Sequence, residues 1–203
     1  MLGRDRLLGQ YEKRPLSDLI VDVCLWILII ALAFLTFTKT YWLQPVTVSG
    51  SSMERTLQDN DVLLMDRLKK PTYGDVVIIY IGKDYLGNDI NYIKRVIGLP
   101  GDTIYSSGGT VHRIKGGVDL ALDESKYVYY DPLYPKGTYF DTKLKDFYYN
   151  VGEGEFFYLG DNRWHSQDGR VKGTEKLENI LGVVPQWVID NRNGFLGKFY
   201  QYI

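Results

Sequence analysis

The stretch INYIKRVIGLPGD, residues 90–102, reads as a β-strand that runs into a tight turn. Its β-branched and aromatic residues suit a pleated surface, and Pro100-Gly101 marks the turn. Strand alternation places Tyr92, Lys94 and Val96 on one face and Ile93, Arg95 and Ile97 on the other. A lysine within an apolar strand ordinarily snorkels to water or protects an exposed edge. The functional alternative is an ammonium whose desolvation lowers its pKa and frees a neutral amine to act as a base.

Similar runs flank this stretch. Asp61–Leu68, Asp75–Ile81, Lys126–Tyr130, Glu155–Leu159 and Ile180–Ile189 are strand candidates. Tyr73-Gly74, Gly108-Gly109 and Gly116-Gly117 supply further turns. No convincing amphipathic helix follows Thr40, so the sequence predicts an all-β domain over residues 40–203. The Tyr-, Asp- and Gly-rich stretch Tyr105–Val151 alternates weakly, so residues 103–151 read as an inserted subregion. The closing run GFLGKFYQYI reads as a last strand or core edge, with contact to a membrane surface the lesser reading.

Residues before Thr40 differ in character. Leu19–Thr38 is continuously apolar except for Asp22, and as a helix it would extend about 30 Å, the thickness of a hydrocarbon core. Residues 19–39 therefore read as a membrane span. Ala31 and Ala33 form an A-x-A pattern, but inside the apolar block. A cleavage site follows such a block, so an uncleaved anchor is expected. Arg4, Arg6, Lys13 and Arg14 precede the span, and only Lys39 closely follows it. This asymmetry places segment 1–18 in the cytoplasm and residues 40–203 outside, a single-pass topology in the cell membrane. The 203 residues hold 24 basic and 25 acidic side chains, a net charge of −1. No basic field exists to hold nucleic acid. The single cysteine, Cys24, and the two histidines, His112 and His165, argue against a disulfide framework or a Cys/His metal site.

Three clusters carry the chemistry: Ser49–Leu57 (SGSSMERTL), Tyr92–Asp102 (YIKRVIGLPGD) and Gly160–Arg170 (GDNRWHSQDGR). Each alone is an ordinary turn or strand. In this order they resemble the signature blocks of type I signal peptidases, with a single span and compact outer domain most like the Gram-positive enzymes. The block G-x-S-M-x-P-T-L is matched by Gly50–Leu57, with Arg55 in place of proline. K-R-x-x-G-x-P-G-D runs unbroken from Lys94 to Asp102. G-D-N-R-x-x-S-x-D-S-R is matched by Gly160–Arg170, with Gly169 in place of serine. Gly74-Asp75-Val76 matches a shorter block.

The resemblance implies a β-domain of mostly antiparallel strands behind one transmembrane helix. It implies a serine endopeptidase that removes signal peptides from secretory preproteins, cutting after small residues (A-x-A). Ser52 would be the nucleophile and Lys94 the general base, with Ser166 orienting the amine. The Ser52 N–H and a group near Gly50 would hold the oxyanion. Arg95, Asp161, Asp168 and Arg170 would hold the site together by ion pairs. Val48, Met53, Leu57, Tyr92 and Ile93 would line shallow apolar pockets. No cofactor or metal is expected, and the implied partners are preproteins and membrane lipid, the chain itself being a monomer. A non-catalytic or specialised factor in pilus assembly, with pilin subunits as partners, is the alternative, although such relatives tend to lack the serine or the lysine. A Ser/His/Asp site using His165 with Asp161 or Asp168 and a self-cleaving repressor-type protease are weaker rivals. The latter carries a DNA-binding domain, for which there is no basic region here.

Overall fold

The computed structural model describes residues 15–128 and 146–192. Arg4, Arg6, Lys13 and Arg14, the strand end Tyr129-Tyr130 and the run Gly194–Ile203 lie outside the described residues, as does part of the inserted subregion. The chain divides into two compact units, Met1–Thr40 and Tyr41–Ile203.

The first unit is built on helix α1, Leu16–Phe37. Pro15 precedes it with φ −58°, a value the ring fixes and a helix start accepts. The helix starts at Leu16 rather than Leu19. None of its residues is buried, and its apolar side chains cover every face. A helix in water keeps one polar face; this one is long and apolar enough to cross a membrane.

The second unit is antiparallel throughout its described strand pairs. Its larger sheet has the order β1-β2-β11-β3-β4-β9-β10. The strands are β1 (Leu43–Thr47), β2 (Val62–Asp66), β3 (Val76–Lys83), β4 (Asp89–Gly98), β9 (Glu155–Leu159), β10 (Glu175–Lys176) and β11 (Ile180–Val184). The smaller sheet, β7-β6-β5-β8, comprises β5 (Thr103–Ser107), β6 (Thr110–Lys115), β7 (Val118–Ala121) and β8 (Tyr148–Asn150).

Three apolar clusters follow from strand alternation. Val76 and Ile78 of β3 face one core with Met53, Leu57 and Leu63, while Val77 and Ile79 face a second with Val96, Phe156 and Tyr158. That is why β3 reads as an unbroken apolar run: both its faces are covered. Phe157 and Leu159 of β9 turn the other way, into a third core with Ile97, Ile104 and Val111 under the small sheet.

Some expectations change. The stretch Ile180–Ile189 is two elements. Pro185, with no N–H to give a ladder, ends β11 and begins a short helix α3, Gln186–Asp190. A second short helix, α2, spans Gly169–Lys172. Lys126–Val128 is turn and coil rather than strand. Strand β1, the two-residue β10 and the four strands of the small sheet escaped the sequence reading, since polar residues occupy or interrupt them. The described part of the inserted subregion is thus an ordered sheet packed on a core.

Candidate active site

The turn that carries Ser52 is held from below. Met53 and Leu57 are buried in the first core, and the Thr56 and Leu57 N–H groups both donate to the Met53 carbonyl. Two apolar anchors four residues apart fix the turn, and Ser52, between them and water, stays partly accessible. Arg55 adopts φ +81°, a left-handed backbone that a non-glycine residue rarely takes. Gly50, with φ +89°, has its N–H committed to Asp59 Oδ1 at 2.8 Å. The Gly50 amide thus already has a partner, although the second oxyanion donor was expected near this residue. Within the described residues no hydrogen bond uses the Ser52 N–H.

Strand β4 delivers Lys94. Its Nζ lies 2.7 Å from Ser52 Oγ and donates to the Ile93 carbonyl at 2.9 Å. The side chain is only 3% exposed. Burial drives its pKa down to about 8; Asp168 and Asp161 pull it up, but less strongly. The Ser166 hydroxyl makes no hydrogen bond to Lys94. It is buried without a well-formed partner, beside Asp168. Lys94 has spent its second contact on the Ile93 carbonyl instead. Ser166 is nonetheless close to the turn that carries Ser52. A Cβ on Gly160 would meet Ser166 Oγ at 2.2 Å and the Ser52 carbonyl at 2.6 Å, so only glycine permits this approach.

Two buried ion pairs flank the pair of residues. Arg95 grips Asp161 through both carboxylate oxygens, at 2.8 and 2.6 Å, and donates to the Gly74 carbonyl. Thr56 Oγ1 donates to the same Asp161, tying the serine turn to the third cluster. Asp168 accepts from Arg170 and from the Gly160 N–H. Burial raises the Asp168 carboxyl, yet Arg170 and the Gly160 N–H outweigh it and hold the group below its usual range.

A cleft of about 440 Å³ opens over Ser52 and Lys94. Of the expected lining residues, Val48, Met53, Tyr92 and Ile93 line it. Leu57 does not: it is wholly buried in the first core and serves as an anchor. His165 also lines the cleft. No hydrogen bond joins its ring to Ser52 among the described residues. Asn162 went unassigned in the sequence. Its N–H donates to the Ser52 carbonyl, and its Nδ2 to the Ser51 carbonyl and to Glu54. Position within the GDNR block was the available signal. Thr56 had the same kind of signal, as the threonine of the G-x-S-M-x-P-T-L block; Glu54, at a variable position of that block, carried none, and its partner Asn162 lies more than a hundred positions away.

A buried amine on a serine hydroxyl, in a cleft of mixed polar and apolar lining, is chemistry suited to acyl transfer. Comparison with known proteins defines the class. Residues 20–188 match the family model "Signal peptidase, peptidase S26". The chain belongs to this family of hydrolases. It is 31% identical to a signal peptidase I of Rickettsia typhi, over 69% of each chain. It is 29% identical to that of Rickettsia akari, over 78% of this chain and 74% of the other. A solved signal peptidase I from Enterococcus faecalis V583 shares 29% identity, with a TM-score of 0.40, covering 58% of this chain and 98% of that one.

Proposed function

We propose that this protein is a membrane-anchored endopeptidase that removes signal peptides through a Ser52/Lys94 dyad. The observation that carries the reading is the 2.7 Å contact between Lys94 Nζ and Ser52 Oγ, made by an amine whose pKa has fallen to about 8. A neutral amine at that distance accepts the hydroxyl proton as Ser52 attacks the scissile carbonyl. The new oxyanion takes the Ser52 N–H. Lys94 then protonates the leaving amine. In the second half it deprotonates the water that hydrolyses the acyl-enzyme.

The substrate lies extended in the cleft. Strand β1 is an outer strand of the larger sheet, and its Val46 and Thr47, with Val48 beyond, line the cleft opposite Asn91–Ile93. A chain laid there gains backbone hydrogen bonds as an added strand. Val48 and Met53 line the cleft, and shallow pockets beside them would admit alanine-sized side chains, hence cleavage after A-x-A. Helix α1 anchors the enzyme, with its N-terminal side in the cytoplasm and the β-domain, acting as a monomer, on the outer face beside membrane lipid.

The experiment is cleavage of a preprotein bearing an A-x-A site by the detergent-solubilised protein, with Ser52→Ala, Lys94→Ala and His165→Ala alongside. Cleavage lost in the first two variants and kept in the third is expected. Retention of activity in Lys94→Ala would sink the dyad. No cleavage by folded wild-type protein would favour the pilus-assembly role, with pilin subunits as partners.

A further inference from the structure

The turn Asp123–Val128 belongs to none of the three sequence clusters, yet it touches an arginine from each. The Val128 carbonyl accepts from Arg55 Nη1 at 2.9 Å, three residues from the nucleophile. The Tyr127 ring lies under the Arg95 guanidinium, with Cζ 4.1 Å from the ring centroid, one residue from the base. The Glu124 carboxylate takes both terminal nitrogens of Arg163, one of them at 2.9 Å. Arg163 in turn donates from Nε to the Gly160 carbonyl, beside Ser166.

The turn is built to hold these positions. The Tyr127 and Val128 N–H groups fold back on the Glu124 carbonyl, at 3.1 and 2.9 Å, and the Tyr127 hydroxyl donates to Glu124 Oε1 at 3.2 Å. Glu124 and Val128 are 6% and 0% exposed. A buried ion pair is by itself a poor source of stability, so the convergence of three arginines on one turn is what sets it apart. Here a carbonyl, an aromatic face and a carboxylate each meet a different cation. Arg55 keeps a left-handed backbone that its own side chain helps to pin. Strain of this kind persists only where the surroundings over-determine it.

We propose that the turn Asp123–Val128 is a positioning element for catalysis, gripping Arg55, Arg95 and Arg163 so that Ser52, Lys94 and the Gly160–Arg170 loop keep their mutual spacing. The proposal rests on the Ser52/Lys94 reading. The residues concerned touch no substrate. They act through the distance between hydroxyl and amine, where a displacement of about 1 Å can cost about 100-fold in rate.

The test uses the full-length protein in detergent, with Arg55→Lys, Tyr127→Leu, Glu124→Gln and the double variant Arg55→Lys/Tyr127→Leu. Cleavage of the A-x-A preprotein gives kcat, KM and the pH profile, and thermal unfolding gives Tm. Each single variant should lower kcat by about tenfold or more, keep KM within about twofold and displace the acid limb of the pH profile. The double variant should lose less than the product of the two single losses, because both act on one device. Unchanged kcat and pH profile in folded variants would overturn the proposal, as would a fall in Tm without a change in kcat. Should Glu124→Gln fail to fold, the exposed Arg55→Lys decides the matter. Wild-type protein that does not cleave, or Ser52→Ala that does, sinks the underlying dyad as well. Normal cleavage by the turn variants sinks the positioning role alone.

Discussion

In the proposed dyad, Lys94 would set the conditions under which the site works. With a pKa near 8, the amine is mostly protonated at neutral pH and neutral above it. Activity should therefore fall about tenfold per pH unit below 8 and level off above it, read from kcat/KM of the wild-type protein. An acid optimum would contradict a lysine base. The same burial carries a stability consequence. The folded state lowers the pKa from 10.5, so folding binds fewer protons than unfolding, and stability rises with pH between about 8 and 10.5. Below that window the protonated amine costs on the order of 3 kcal/mol. Lys94→Met should abolish cleavage and raise Tm at pH 7. Arg55 presents the opposite case. Its φ of +81° is closed to proline, whose ring fixes φ near −65°. Arg55→Pro should destabilise the protein by about 1–3 kcal/mol, measurable by denaturant unfolding. The proline common in the family is thus not interchangeable with arginine on this backbone.

Two junctions matter among the elements. Helix α2 begins at Gly169, where serine is frequent in the family. A Cβ there would sit 2.7 Å from Phe157 Cε2 and 2.8 Å from the Tyr158 carbonyl, which cannot yield easily. Gly169→Ser should cost about 1–3 kcal/mol by overpacking, seen as a lower urea midpoint. The β4–β5 turn is closed by Asp102, which accepts from the Leu99 N–H and from Arg113 of β6, both at 2.8 Å. Arg113 is buried, so Asp102→Ala strands a cation and should cost about 3–5 kcal/mol. The end of the lysine block is therefore a structural tie between the two sheets. A double-mutant cycle with Arg113→Met measures it: the loss should shrink markedly when both partners are gone.

At the scale of the whole molecule the proposal concerns topology. Cys24 is the sole cysteine, so a Cys24→Ser background offers a blank for labelling. Tyr85, at the tip of the β3–β4 hairpin, is 94% exposed. Tyr85→Cys should react with a membrane-impermeant maleimide in intact cells, and the protein should resist extraction from the membrane fraction by carbonate. Labelling only after lysis would place the β-domain inside.

The amino-acid sequence by itself determined what depends on local pattern. The apolar block from Leu19, the runs of β3, β4 and β9, and the Gly-marked turns are each legible because a helix or strand repeats over a few residues. Ser52, Lys94 and the Gly160–Arg170 cluster were legible only through the resemblance of their three blocks, in this order, to those of type I signal peptidases. Only the tertiary structure decided which of these groups touch. It brought Lys94 to Ser52 across the fold, left Ser166 off the amine, buried Leu57 beneath the cleft and spent the Gly50 N–H on Asp59. It also recruited Glu124 and Tyr127, which no local pattern marks, and gave Asn162 of the GDNR block its partners. The physical reason is range: backbone preference acts over a turn, whereas desolvation and hydrogen-bond partners depend on residues that meet only when the sheets close.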